Sequence, residues 1–158
     1  MNSESEHNST PRVAICNTDL ASGPKNNALM HQRRSAIVTP GPHSMVHEIK
    51  EAAVGDIILP YASETKGGNG IIVYGVAQAP YAVRMDPSLG EYWEVPLGDT
   101  WSRLQQKFPY WELEGIMGKG LKGFIRWSFF WLTDIDPVAA HKVADLARRR
   151  TIRQGVLA

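Results

Sequence analysis

The chain has 158 residues, 43% apolar and 21% charged, which suits one domain with its own core. Its 17 Lys and Arg balance 16 Asp and Glu to a formal charge of +1, so a uniformly basic surface is excluded and any polyanion must meet a local patch. The single cysteine, Cys16, excludes an internal disulfide and a Cys-rich zinc site.

Met1 to Thr10 is polar and lacks apolar anchors, which predicts a disordered tail over residues 1–11 ahead of one domain over 12–158. That segment has no hydrophobic signal core, and no apolar run approaches the roughly 18 residues of a membrane span. A cytoplasmic protein with no membrane partner is the expectation. Arg12 to Asn17 reads as a first strand. Asp19, Ser22, Gly23 and Pro24 mark a turn, and Asn26 to Ser35 predicts a short helix. Ser44 caps a predicted helix from Met45 to Ala53, with Val46, Ile49 and Ala53 on one face and Gly55 at its C-terminal cap.

Two apolar strands follow, Ile57 to Tyr61 and Ile71 to Ala77, joined by a Gly-rich polar loop. Lys66-Gly67-Gly68-Asn69-Gly70 reads as a turn, because no helix with Lys-Ser/Thr follows as in a phosphate-binding loop. Asp86 to Asp99 is expected to be a loop, and Thr100 to Phe108 a short helix closed by Pro109. Phe124 to Thr133 reads as one long aromatic strand. Asp136 caps a helix over Pro137 to Arg149 with Pro137 at its first position, and Thr151 to Ala158 reads as a last strand. The class is α+β.

This order of elements resembles the PUA-like superfamily, and within it the EVE and YTH domains. Gly55-Asp56, the strand ending in Tyr61 and the strand from Val73 to Ala77 are similar to an EVE pattern, as is Arg150 to Leu157. Trp93-Glu94-Val95-Pro96, Lys122-Gly123-Phe124-Ile125-Arg126-Trp127 and Asp134-Ile135-Asp136-Pro137 are similar to YTH motifs. The likeness spans residues 12–158 and implies a small β-barrel with helices packed at its edges. It also implies a reader that captures one flipped base, methylated or otherwise modified, in DNA or RNA, without chemistry or cofactor. Residues 18–35 hold no aromatic, and Arg12 to Asn17 holds neither Trp nor Tyr, so any cage must be assembled elsewhere. The ASCH branch, whose relatives include hydrolases of modified nucleosides or small amides, is echoed by Gly23-Pro24-Lys25. Ala28 and Met30 then replace its acidic and basic positions. An ASCH-like hydrolase and a protein-interaction module stand as alternatives.

The resemblance places the strand end Tyr61-Ala62-Ser63 at the pocket, with Tyr61 and Ser63 facing a base edge. Asn17, Thr18 and Asp19 end the first strand and can line the same pocket, where buried polar groups need partners. Trp93 is a large ring expected in a polar loop between Gly90 and Gly98, a candidate for stacking on a base, with Tyr92 beside it. Trp101 and Trp111 suit either a cage or the domain edge. The alternating Trp127, Phe129 and Trp131, with Phe124 and Phe130 opposite, read better as core. For phosphates the candidates are Arg33 with Arg34, Lys119 with Lys122, and Arg148, Arg149 and Arg153, which equally suit a solvated helix end. His43 and His47 share a helix spacing but have no third ligand, so no metal is expected. A partner effector protein fits a reader without chemistry of its own. Nothing in the sequence specifies an oligomeric state.

Overall fold

The computed structural model describes residues 10–18, 24–40, 46–63, 69–125 and 127–152. In chain order these form β1 (Val13–Asn17), α1 (Pro24–Arg33), β2 (Ser35–Val38), α2 (Val46–Ile49), β3 (Ile57–Ala62) and β4 (Gly70–Val76). There follow β5 (Ala82–Asp86), β6 (Gly90–Pro96), β7 (Ser102–Pro109), α3 (Tyr110–Met117), β8 (Phe129–Trp131), α4 (Leu132–Ile135) and α5 (Pro137–Arg149). Single 3-10 turns cover Gly98–Thr100 and Lys119–Gly123.

Five strands build one sheet in the order β7-β4-β3-β1-β8, and three build another in the order β2-β6-β5. β1 runs parallel to β3, with Val13 opposite Ile57 and Asn17 opposite Tyr61, and antiparallel to β8. All five β1 residues are buried, which is why the strand reads as a continuous apolar run without polar alternation. Successive side chains leave a strand on opposite faces, and that rule divides the core. Val13, Ile15, Leu59, Tyr61 and Phe130 point to a cluster roofed by α3 and α5. Ala14, Cys16, Ile58, Phe129 and Trp131 point to a second cluster, shared with α1, α2 and the smaller sheet. α5 meets the first cluster through Ala139, Ala140, Val143, Ala144 and Ala147, small side chains that let it lie close to the sheet. Asp136 caps α5 as expected, its Oδ1 accepting from the Ala139 N–H at 3.1 Å, with Pro137 next.

β1, β3, β4 and α5 match the sequence reading to within a residue or two. Other expectations are corrected. The strands form two separate sheets rather than a closed barrel. The loop expected over Asp86 to Asp99 holds a turn at residues 87–89 and the whole of β6, which pairs with β5 ahead of it as a hairpin. The helix expected from Thr100 to Phe108 is β7, because Leu104 and Phe108, four apart, share a face at either period, and pairing with the open side of β4 decides. The long aromatic strand is confined to β8, and a 3-10 turn at Lys119–Gly123 and α4 occupy its flanks. β2, β5 and α3 lie in segments to which the sequence assigns no element. The expected tail (all but its last two residues), the Ser44 cap, His43, Lys66-Gly67-Gly68 and residues 153–158 of the expected last strand lie outside the described residues; within that strand, Thr151 forms an isolated bridge to Leu104.

Candidate nucleic-acid interface

β1 and β3 end side by side, and their last residues bring four of the expected site positions together. Asn17 lies opposite Tyr61, and the Thr18 N–H donates to the Tyr61 carbonyl at 2.8 Å. Asn17, Thr18 and Tyr61 are each no more than 1% exposed, and Ser63 follows half-buried. Asn17 Oδ1, Thr18 Oγ1 and Tyr61 Oη are buried and without a hydrogen-bond partner; among the described residues, Asn27 Oδ1 is the one other buried side-chain atom in that state. A buried polar atom left unpaired costs about 1–3 kcal/mol, so three at one strand end are costly unless something else meets them.

The geometry assigns their chemistry. The Asn17 side-chain amide donates through Nδ2 to the Ile125 carbonyl at 2.9 Å, which leaves Oδ1 as an acceptor. Burial first, and the neighbouring Tyr110 second, push the Tyr61 phenol well above its ordinary value, so it stays protonated and able to donate. The Asn17 N–H donates to the Ser128 carbonyl at 2.8 Å, which brings the segment around half-buried Trp127 to the same end. Trp127 is held by its own Nε1 donating to Gly123 O at 3.1 Å. Lys119 and Lys122 are exposed on the 3-10 turn that leads into this segment. Asp19, expected beside Thr18, lies outside the described residues.

Trp93 and Tyr92 sit elsewhere. Both belong to β6, where Trp93 pairs with Val38 on one side and Val83 on the other. The premise that Trp93 stands in a polar loop is therefore corrected. It is a half-buried strand residue packed on the second cluster, and Tyr92 is 3% exposed within that cluster. Tyr61 points into the first cluster, so the structure does not bring these rings together.

The expected phosphate contacts divide in the same way. Arg33 is committed to Glu94, a carboxylate with only 3% side-chain exposure, through Nε to Oε2 at 2.5 Å and Nη2 to Oε1 at 3.1 Å. Arg84 completes the clamp at 2.8 Å. Burial would raise the Glu94 pKa, but hydrogen bonds from Arg33, Arg84 and Ser35 outweigh it and hold the carboxyl below its ordinary value. Arg148 and Arg149 both pair with Asp145, and Arg150 holds Glu112 at 2.5 and 2.9 Å. Arg153 lies outside the described residues. Arg34 stays exposed, and its guanidinium has no partner among the described residues. Sequence reasoning missed Arg103, exposed on β7 and likewise unpaired. The one signal available was its place between Trp101 and the glutamines of what read as a helix. Among the described residues no group of three His, Cys, Asp or Glu side chains could hold a metal, and no helix is long and apolar enough to cross a membrane.

No protein-family model matches the chain, and no curated protein sequence matches it. Solved structures do. A protein from Leishmania major superposes with a TM-score of 0.59 at 14% identity, covering 88% of this chain and 98% of its own. The DUF55 domain of human thymocyte nuclear protein 1 gives 0.55 at 13%, covering 86% and 98%. Human THYN1 in complex with DNA containing 5-methylcytosine gives 0.52 at 13%, covering 86% and 97%. At these identities the likeness shows the fold alone. It is a mixed α+β fold built on two sheets.

Proposed function

We propose that this chain is a nucleic-acid reader that takes one extruded base, methylated or otherwise modified, at the adjoining ends of β1 and β3. The observation that carries the reading is the set of three buried, unpartnered polar atoms on Asn17, Thr18 and Tyr61. A base edge offers donors and acceptors in the plane such atoms need. Asn17 Oδ1 accepts only, which suits the exocyclic amino group of cytosine or adenine. Tyr61 donates, and Thr18 does either. Trp127, beside Asn17, supplies a ring for stacking, and Lys119 and Lys122 supply charge near the entering strand. The fold is shared with a protein solved on DNA containing 5-methylcytosine, which supports this partner class over a small-molecule one. The finer assignment to an EVE-type or YTH-type domain is part of the same proposal, as is reading without catalysis.

The test compares single-stranded oligonucleotides carrying 5-methylcytosine, N6-methyladenine or only plain bases, with parent and Tyr61→Phe proteins. One hydrogen bond contributes about 1–1.5 kcal/mol, so the variant should lose about tenfold in affinity for the preferred modified strand. Its melting temperature should hold or rise, because a buried hydroxyl without a protein partner has been removed. Equal affinities for parent and variant across all three strands would sink the assignment of this strand end.

A further inference from the structure

We propose that the two cavities beside β7, together with the Arg150–Ile152 segment paired to that strand, form a track for the backbone of a single nucleic-acid strand. Arg34 and Arg103 grip it, and Trp101 and Trp111 bound it. The inference rests on the nucleic-acid reading above and locates the backbone contact that reading requires. Two cavities lie beside β7, and Ile152 lines both; it ends the segment from Arg150 that pairs with β7 through Gln105 N–H to Arg150 O at 2.8 Å and Ile152 N–H to Arg103 O at 2.9 Å. One, of about 580 Å³, is lined by His31, Arg34, Trp101 and Arg103 among others. The other, of about 870 Å³, is lined by Gln105, Gln106, Lys107, Trp111 and Arg149 among others. Between them they gather five of the Lys and Arg side chains against two carboxylates, Asp99 and Glu112, in a chain whose overall charge is +1. Arg150 is held by Glu112 and Arg149 by Asp145, so Arg34 and Arg103 are the lining arginines without a carboxylate partner among the described residues.

Three observations make this face a built surface. First, Arg34 and Arg103 have no side-chain partner among the described residues, whereas Arg12, Arg33, Arg84, Arg148, Arg149 and Arg150 all hold carboxylates. Second, Arg34 has a φ of 53°, a left-handed conformation that an arginine adopts only at a cost. Its carbonyl accepts the Leu97 and Gly98 N–H groups at 2.9 and 3.1 Å, so the link between β6 and β7 holds the turn that presents its side chain. Third, Trp111 is 73% exposed on the first turn of α3, where packing does not require it. Trp101 stands at the other cavity, edge-on to His31 with centroids 5.2 Å apart. β7 also carries a bulge opposite Ile71–Val73, with adjacent Gln105 and Gln106 both exposed. Cationic side chains interleaved with rings along a groove suit phosphates and bases in succession, whereas an acidic peptide has no use for the rings.

The experiment measures binding of an unmodified oligo-dT strand across salt concentrations, beside an oligo-glutamate peptide of matched charge. Variants are Arg34→Gln with Arg103→Gln, Arg103→Gln alone, and Trp111→Ala. Each neutralised phosphate contributes a slope of about −0.7 for single strands, so the double variant should flatten the plot by about 1.4 and the single one by about 0.7. Trp111→Ala should lower affinity about tenfold at every salt concentration and leave the slope alone. Preference for a modified strand over a plain one should survive all three substitutions. An unchanged slope in the arginine variants, no binding of oligo-dT by the parent, or equal binding of oligo-glutamate overturns the track. If Tyr61→Phe keeps its discrimination while the arginine variants flatten the slope, the strand-end base site falls and the track stands.

Discussion

Glu94 and the two adjacent arginines show how much a single residue's fate depends on chain geometry. Arg33 ends α1 and reaches Glu94, 61 positions on, while Arg34 turns through a left-handed conformation into β2 and lines a cavity with His31 and Trp101. As sequence they were an equivalent basic pair, and no spacing distinguishes a clamp from a free cation. Glu94 was legible only as part of a short Trp-Glu-Val-Pro motif, since its partners come from α1 and β5. Its folded pKa is depressed, so the stability it contributes is present above its unfolded value near 4.5 and is lost as pH falls through the lower, folded one. Acid unfolding monitored by circular dichroism should therefore begin below about pH 4.5, and Glu94→Gln should flatten that limb. At neutral pH the substitution should cost about 2 kcal/mol. That is less than the 3–5 of fully buried pairs, because Arg33 and Arg84 keep 37% and 51% side-chain exposure. A denaturant midpoint and an acid limb both unchanged in Glu94→Gln would mean the clamp is energetically idle.

Elements were legible where burial is one-sided or complete. β1, β3 and β4 announce themselves as apolar runs, and α5 by its Asp-Pro start and apolar spacing. The β5–β6 hairpin was not legible. β5 is an edge strand whose Val83, Arg84 and Met85 are all exposed, so it carries no alternation. β7 was misread because four-residue spacing fits both a helix and a strand. What settles β7 is its close approach to β4. A Cβ built on Gly70 would sit 2.4 Å from the Phe108 carbonyl oxygen and 2.7 Å from Lys107 Cγ, and backbone cannot yield as a side chain can. Gly70→Ala should push the two strands apart and cost about 1–3 kcal/mol, read as a lower melting temperature. It should also weaken oligo-dT binding, since the proposed track lies beside β7. A variant melting with the parent would show that this edge adjusts freely, and the argument from close approach would fail.

At the scale of the whole molecule, the larger sheet separates two clusters and thereby two sets of aromatic candidates. The sequence suggested one cage drawn from Trp93, Tyr92 and Tyr61. Alternation sends Tyr61 toward α3 and α5, and β6 belongs to the smaller sheet on the opposite side. That partition was invisible in the sequence because it depends on which strand pairs with which, and β2 and β5 were unread. The strand-end pair was legible, since Asn17, Thr18 and Tyr61 each terminate an apolar run, but the parallel register that sets them abreast was not. The partition separates stability from recognition in Trp93→Ala. The ring is half-buried between Val38 and Val83, so its loss should cost about 2 kcal/mol, under the 3–5 of a fully buried aromatic. Discrimination between modified and plain strands should persist at temperatures where the variant is folded, because the proposed base contacts lie at the ends of β1 and β3. Tyr61→Phe should show the reverse, with an unharmed fold and lost discrimination. Measured together by thermal melts and oligonucleotide titration, the two variants should fall in opposite corners. Loss of discrimination in Trp93→Ala at an unchanged melting temperature would move the base site to the smaller sheet.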